Sequence, residues 1–234
     1  MHALTSAILI YEQDRTTSLV QSTPIVVRHS ASIDKAGVHL GPPSVVTNSF
    51  LTQIARLQGD ATMSLLHRRI IAISNNHDQV AWYRDAAPAT LYFQTDDAAV
   101  NAHSGKRIPL PRLIFHASRQ ATGWSLAVAA TGDSKPLHRQ TALGFAPLYN
   151  VFGDGRVCLG STTPTPAETS LEDLPDLIER HFFSSAFTHT SHNRIHAYKG
   201  SYAELLTATR TAKTFAPAWV ASMHQRLGDF LTVH

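Results

Sequence analysis

The sequence of 234 residues contains a single cysteine, Cys158, and only 16% of its residues are charged. One cysteine excludes an internal disulfide and is typical of a protein kept in a reducing compartment. No apolar run comes near the roughly 20 residues that a membrane-spanning helix requires. The segment Met1–Leu4 lacks the basic residues that precede the apolar part of a secretory signal. These absences predict a cytoplasmic, soluble protein with no membrane partner.

The sequence is also poor in the features of nucleic-acid and nucleotide binding. The formal net charge of +3 is spread along the chain, and residues 67–69 (His-Arg-Arg) are its only dense basic cluster. A nucleic-acid partner is therefore not expected, because such proteins concentrate Lys and Arg on one face. Gly37, Gly41 and Gly59 do not form a phosphate-binding loop, so we expect no nucleotide cofactor.

Strand patterns dominate the first two thirds of the chain. Residues 6–12 and 18–29 predict the two arms of a hairpin, and a helix is expected over 50–57. Residues 96–106 are polar and lack periodicity, which predicts a loop. Four aromatic or apolar runs predict further strands, at 79–84, 89–94, 111–117 and 124–130. Consecutive apolar residues in the last two runs indicate a sheet buried in part on both faces.

Helices are predicted after the strands. Asp173 is a candidate N-cap for one helix, and Ser201 with Glu204 forms the pattern of a capping box for a short helix through Leu206. A last helix is predicted from Pro217, with these inward-facing residues: Val220, Met223, Leu227, Phe230 and Leu231. Strands followed by helices predict an α+β fold.

The segment around Cys158 carries the most specific local pattern. Residues 152–155 (Phe-Gly-Asp-Gly) predict a tight turn, because Asp-Gly tolerates the positive φ values of turns. Residues 156–159 then alternate as a short strand, with Cys158 on the face opposite Val157 and Leu159. This arrangement favours access to the thiol, although a lone cysteine is more commonly a small buried apolar residue.

Five residues of this segment stand where ubiquitin-conjugating enzymes carry Asn, Gly, an aliphatic residue, the acceptor Cys and Leu: Asn150, Gly155, Val157, Cys158 and Leu159. The spacing agrees, with the Asn eight residues before the Cys and the Gly three before it. More narrowly, APLYNVFGDGRVCLGS resembles the prokaryotic branch known as PRTRC system protein B, or prokaryotic conjugating-enzyme family D. The stretches at 108–115 (IPLPRLIF) and 182–189 (FFSSAFTH) are similar to that branch as well.

The resemblance implies a fold and a reaction. The fold is that of ubiquitin-conjugating enzymes, an antiparallel sheet with flanking helices over residues 61–234. The N-terminal strands and helix of residues 1–60 would pack on this core, giving one compact unit. A ThiF-type activating enzyme would pass the C-terminal carboxyl of a ubiquitin-like protein to Cys158 as a thioester, and an amine of a protein target would then receive it. The resemblance implies no metal or cofactor, and it points to a plasmid or mobile-element cassette.

Two further residues have implied roles. Asn150 would donate its side-chain N–H to the oxyanion of the tetrahedral intermediate, or its amide would tie the loop to nearby backbone. His189 would fold over the cysteine and act as base or positioner for the attacking amine. The chain departs from the superfamily at Leu148-Tyr149, where His-Pro is usual. It also has no evident match downstream for the acidic residue with which many members manage the incoming lysine.

Three other interpretations stay open. The departures favour a catalytically silent scaffold of the same fold that binds proteins. A cysteine hydrolase would need a His and an Asn or Asp near Cys158, but the turn-strand setting lacks the helix N-terminus that usually lies beneath such a nucleophile. A metal site would use His189, His192 and His196, yet the loop over 189–196 lacks helical patterning and no cysteine is near, so we expect no metal there.

Overall fold

The computed structural model describes residues 6–11, 25–34, 37–47, 50, 66–121, 123–159, 169–190 and 192–233. The chain divides into two units, Met1–Met63 and Ser64–His234. The fold is α+β with mostly antiparallel sheets, as the order of the sequence patterns predicts. None of the described helices is long and apolar enough to cross a membrane.

The N-terminal unit holds a three-stranded antiparallel sheet of β1 (Ser6–Tyr11), β2 (Ile25–Asp34) and β3 (Gly37–Val45), in that order. The pairing of β1 with β2 confirms the predicted hairpin. The sequence patterns do not predict β3, which runs through Gly41-Pro42-Pro43 and pairs Pro43 with His29. Proline is tolerated there because β3 is an edge strand, where the missing N–H donor is not needed by a further strand.

The helix predicted over 50–57 lies almost wholly outside the described residues. Phe50 is its one described member. The Phe50 N–H donates to Thr47 Oγ1 over 3.3 Å, which is the bond that an N-cap threonine makes. The guanidinium carbon of Arg28 lies 4.1 Å from the centroid of the Phe50 ring, so this residue is held against β2.

The C-terminal unit contains two sheets and four α-helices among its described residues. Its strands are β4 (Ile70–Ile73), β5 (Gln79–Arg84), β6 (Pro88–Phe93), β7 (Lys106–Pro109), β8 (Arg112–Gln120), β9 (Gly123–Thr131), β10 (Ala142–Phe145), β11 (Ala186–Phe187) and β12 (Ser222–Arg226). Its helices are α1 (Ala98–Asn101), α2 (Leu174–Ser184), α3 (Tyr202–Ala212) and α4 (Leu227–Val233), with a 3₁₀ turn over Pro217–Trp219. The large sheet has the strand order β12-β10-β9-β8-β5-β4, and the small sheet has the order β11-β6-β7.

The large sheet is covered on both faces. On one face Trp82 and Phe115 stack with ring centroids 5.3 Å apart, within the main core that includes α2 and α3. On the other face Ile114 and Ala129 pack with Phe230 of α4. Successive residues of a strand face opposite sides. The consecutive apolar runs of β8 and β9 predicted this double burial, and the structure confirms it.

The predicted loop over 96–106 is wrong in part, because four of its residues form α1 and Lys106 begins β7. Asp97 caps this helix, and its carboxylate accepts the backbone N–H groups of Ala99 and Val100. Val100 is fully buried, but a single apolar residue in a polar segment gives no periodicity. Strand β7 follows after a turn over residues 102–105 and pairs with β6, again without an alternating pattern that would reveal it.

The two middle helices are confirmed. Helix α2 begins after Asp173, which is the N-cap by position but makes no side-chain cap bond. Helix α3 begins after Ser201, whose hydroxyl accepts the Glu204 N–H while the Glu204 carboxylate accepts the Ser201 N–H. It continues to Ala212, six residues beyond the predicted end at Leu206.

The predicted last helix is wrong in its first half. The segment that starts at Pro217 forms the 3₁₀ turn and then β12, which pairs antiparallel with β10, and α4 begins only at Leu227. Met223, Leu227 and Phe230 are buried as expected. The open edge of β10 offers the backbone of β12 hydrogen-bond partners, and this tertiary pairing replaces those that a helix would supply locally.

Candidate functional site

Cys158 lies on one arm of a short hairpin. The Cys158 N–H donates to Asn150 O over 2.7 Å, and the Phe152 N–H donates to Arg156 O over 2.8 Å. These bonds close the turn predicted over residues 152–155, which the structure confirms. The hairpin thus places the cysteine directly beside the asparagine that precedes it by eight residues.

Gly155 lets this hairpin lie directly against the large sheet. The Val128 N–H of β9 donates to Gly155 O over 2.7 Å, and the Val157 N–H donates to Leu126 O over 2.8 Å. Gly155 has a φ of +94°, and a Cβ there would lie 3.0 Å from Phe230 Cε2. A side chain at this position would therefore be strained and would press on the core.

The other arm of the hairpin is bound to the chain that leaves the small sheet. The Asn150 N–H donates to His189 O over 2.8 Å, and the Gln94 N–H donates to Phe187 O over 3.1 Å. Strand β11 pairs parallel with β6. Backbone hydrogen bonds thus run from β9 through the hairpin to the segment after β11, and Cys158 lies where the two sheets of the unit are joined.

The side chain of Asn150 strengthens this junction. Its Nδ2 donates to Ala186 O over 2.8 Å, and its Oδ1 accepts from the backbone N–H and the hydroxyl of Thr188, each over 3.0 Å. Asn150 is buried and has a left-handed backbone with φ of +60°, which asparagine tolerates better than most residues. The loop tie is therefore present. Donation to an oxyanion, for which the amide has a second N–H, stays a prediction.

Replacing Asn150 tests how much the tie contributes. We expect Asn150→Gly to lower the free energy of unfolding by about 2 kcal/mol, since two backbone groups lose a buried partner while the left-handed backbone is kept. Asn150→Ala should cost about 1 kcal/mol more, because its Cβ disfavours that backbone conformation. Urea unfolding of both variants measures the difference. Equal losses would contradict a left-handed residue 150.

The thiol of Cys158 is half-buried and forms no disulfide. Arg156, two residues earlier, is paired with Asp154, with Nε 2.6 Å from Oδ2. Its guanidinium carbon also lies 5.9 Å from the centroid of the exposed Phe152 ring. A paired arginine stabilises a nearby thiolate less than a free one would. Arg156 is therefore a weaker source of thiolate stabilisation than its place beside Cys158 in the sequence indicates.

His189 lies next to the junction. Its backbone oxygen accepts the Asn150 N–H, and its exposed side chain places Nδ1 2.9 Å from Thr188 Oγ1. Cys158, Asn150 and His189, the three residues predicted for the site, thus lie on segments joined by direct hydrogen bonds. Sequence reasoning missed Thr188. Its one signal was its position next to His189, within the FTH part of the stretch over 182–189.

The other two histidines of the loop pack against aromatic rings. The ring centroid of His192 lies 4.6 Å from that of Phe145, and His196 stacks on Tyr202 at 6.1 Å. Burial lowers the pKa of both imidazoles, which favours their neutral forms. Within the described ranges, no group of three or more His, Cys, Asp or Glu residues is arranged to hold a metal ion.

Leu148 and Tyr149, which stand in place of His-Pro, belong to the core. Leu148 is fully buried, and the Tyr149 ring stacks on Tyr202 of α3 with centroids 4.8 Å apart. The buried hydroxyl of Tyr202 donates to Pro147 O over 2.9 Å, and burial raises the pKa of this phenol. Helix α3 thereby holds the backbone that leads into Asn150.

We expect Tyr202→Phe to lower the free energy of unfolding by about 1–2 kcal/mol, because Pro147 O would lose its buried donor. Tyr92→Phe is a matched control, since Tyr92 is 47% exposed and its hydroxyl should contribute about 0.5 kcal/mol or less. Thermal unfolding of both variants tests this. Equal shifts would contradict the assigned bond.

Comparison with known protein families gives a match for this chain. The family model described as prokaryotic E2 family D matches residues 46–218, well over half of the chain. The matched region contains the hairpin, the junction and the His189 segment. No curated protein and no solved structure gave a significant match. By its match to the family model, this chain belongs to prokaryotic E2 family D, whose members are relatives of ubiquitin-conjugating enzymes.

Proposed function

We propose that Cys158 accepts a ubiquitin-like protein as a thioester from a ThiF-type activating enzyme and passes it to an amine of a protein target. The observation that carries this proposal is the pair of backbone hydrogen bonds that joins Cys158 to Asn150 and Asn150 to His189. It brings a half-buried thiol, a buried amide and an exposed imidazole onto adjoining segments. Family membership supports the class of reaction.

The first step is an exchange of one thioester for another. The thiolate of Cys158 attacks the carbonyl carbon of the ubiquitin-like protein on the activating enzyme. The new C–S bond forms at Cys158, the old one breaks, and the activating enzyme's cysteine leaves as a thiolate. Because one thiolate simply replaces another, the step needs little activation, and this fits a site in which Arg156 is already paired with Asp154.

The second step transfers the carboxyl to an amine. The amine nitrogen attacks the thioester carbonyl, a tetrahedral oxyanion forms, and the C–S bond then breaks with Cys158 leaving as a thiolate. The second N–H of the Asn150 amide would stabilise the oxyanion. His189 would take the proton that the amine loses.

We also infer that the chain belongs to the PRTRC system protein B branch. The resemblance at 108–115 and 182–189 supports this, and these stretches contribute to β8 and to the α2–β11 region. Genes for a ThiF-type enzyme, a ubiquitin-like protein and a JAB-type isopeptidase would then accompany this gene on a plasmid or mobile element. Activation by such an enzyme consumes ATP, so charging would occur in the cytoplasm.

A charging assay tests the proposal. The purified chain is mixed with the cognate activating enzyme, the ubiquitin-like protein and ATP, and the products are run on gels with and without thiol reductant. We expect an adduct that the reductant removes. If the activating enzyme charges itself but no adduct forms on this chain, the proposal is wrong.

The second candidate is a catalytically silent scaffold that binds the same proteins. The burial of Leu148 and Tyr149 in place of His-Pro favours it, because these side chains serve the core. A scaffold would bind the activating enzyme or the ubiquitin-like protein in a pull-down but form no adduct in the charging assay. A cysteine hydrolase is disfavoured, since Cys158 lies on a hairpin arm and no helix begins at it or at residue 159, where this stretch of described residues ends.

A further inference from the structure

We propose that Thr188 is a positioning residue that holds His189 in the tautomer with its proton on Nδ1, so that Nε2 is the basic nitrogen. The use of that nitrogen in amine transfer rests on the proposed function. The tautomer itself is independent of the proposed function, because it follows from hydrogen bonds around Asn150. Those bonds link the Asn150 amide, the Thr188 hydroxyl and the His189 ring.

Two backbone neighbours fix the orientation of the Asn150 amide. A carbonyl oxygen only accepts hydrogen bonds, so the atom 2.8 Å from Ala186 O must be the amide nitrogen. A backbone N–H only donates, so the atom 3.0 Å from the Thr188 nitrogen must be Oδ1. Both neighbours require the same orientation, and Oδ1 therefore faces Thr188.

The Asn150 oxygen fixes the direction of the Thr188 hydroxyl proton. Its Oγ1 lies 3.0 Å from Asn150 Oδ1, which has no proton to give. Two oxygens at that distance repel unless a proton lies between them. The single hydroxyl proton of Thr188 must therefore point at Oδ1.

The Thr188 hydroxyl in turn determines which nitrogen of the His189 ring has the proton. With its proton committed, Thr188 Oγ1 can only accept from His189 Nδ1, which lies 2.9 Å away. His189 must then donate from Nδ1, and a neutral imidazole has one N–H. Nε2 is left with a free lone pair on an exposed side chain.

This tautomer matters because a neutral imidazole without such a partner prefers its proton on Nε2. A nitrogen that already has a proton is a donor, so an Nε2–H ring could not take a proton from the amine at that atom. In the proposed transfer, the N–C bond forms, the amine proton moves to Nε2, and the C–S bond breaks with release of the Cys158 thiolate. Asn150 would therefore affect the reaction in two ways. Its own amide stabilises the oxyanion, and its Oδ1 orients the Thr188 hydroxyl that sets the tautomer of His189.

The ring nitrogens of His189 can be observed by ¹⁵N NMR of the free protein at a pH where the imidazole is neutral. We expect Nδ1 to have the chemical shift of a protonated nitrogen and Nε2 that of a bare one. This first measurement needs no variant and no partner protein. A proton on Nε2 in the wild-type protein would overturn the proposal.

Two variants then assign the effect to the hydroxyl. Thr188→Val keeps the shape but removes the hydroxyl, so the proton should move to Nε2, while Thr188→Ser should keep it on Nδ1. A Val variant that retains the wild-type tautomer would also overturn the proposal. In single-turnover discharge of the preformed thioester, Thr188→Val should slow transfer to an amine by about tenfold or more, and Thr188→Ser should keep the wild-type rate. If no thioester forms on Cys158 at all, the proposed function is wrong. The NMR measurement still decides the tautomer of His189, because it uses the free protein.

Discussion

Cys158→Ala is expected to form no adduct with the activated ubiquitin-like protein while it changes the free energy of unfolding by about 1 kcal/mol or less. The substitution removes one sulfur atom from a half-buried position. The structural bond at this residue is made by its backbone N–H to Asn150 O, and alanine keeps that bond. The loss would therefore report the chemistry of the thiol and not a loss of fold.

Cys158→Ser provides the matched control for this prediction. A serine hydroxyl in the same place can form an oxyester, which a thiol reductant does not remove. We expect a slowly formed, reductant-resistant adduct, because a hydroxyl is a far weaker nucleophile than a thiolate at neutral pH. An adduct of unchanged yield on Cys158→Ala would place the acceptor on another residue and refute the assignment.

Glu179→Ala is expected to lower the free energy of unfolding by about 3 kcal/mol. Glu179 on α2 has only 12% of its side chain exposed. Its Oε1 lies 2.5 Å from Arg69 Nη1 and 2.9 Å from Trp82 Nε1. Alanine would leave both donors without this acceptor and would open a void at the edge of the main core. Urea unfolding measures the loss.

Glu179→Gln is the matched control and should cost about 1 kcal/mol or less. Its amide oxygen can still accept from Trp82, and Asp176 still pairs with Arg69 at 2.5 Å. Burial raises the pKa of Glu179, and this effect exceeds the opposing attraction of Arg69 and Arg84. A loss equal to that of Glu179→Ala would show that the negative charge, and not the acceptor atom, stabilises the unit.

The same pair of proteins has an expected pH dependence. The pKa of Glu179 is higher in the folded chain than its ordinary value of 4.5, so its carboxyl favours folding most when protonated. The stability of the wild type relative to Glu179→Gln should therefore be greatest below pH 4.5 and decline as the pH rises through the folded-state pKa. A relative stability that rises with pH would contradict a raised pKa.

Elements set by neighbouring residues were predictable from the sequence. The strand Gln79–Arg84 has the predicted bounds, and the capping box of Ser201 and Glu204 is present in full. The turn over 152–155 follows from Asp-Gly alone. The capping box and the turn each join residues close in sequence, so a short pattern contains both partners. The strand pairs with the distant β8, but its own β-branched and aromatic residues mark it as a strand.

Elements whose stability depends on a distant partner were not predictable in this way. Strand β3 contains two prolines and exists as the edge of a sheet, and β12 forms because β10 offers an open edge. Helix α1 needs the burial of Val100, which a polar segment does not reveal. The sequence supplied residues able to form these elements, and the packing around them selected strand or helix.

The candidate site likewise has features that are local in sequence and features that depend on distant contacts. The residue types near Cys158 could be read from the sequence, because the spacing of Asn150 and Gly155 is a local property. Only the tertiary structure decided that the Asn150 amide meets Ala186 and Thr188, which lie 36 and 38 positions away. Such contacts arise where two sheets are joined, and their geometry depends on how the core packs. No periodicity along the chain contains that information.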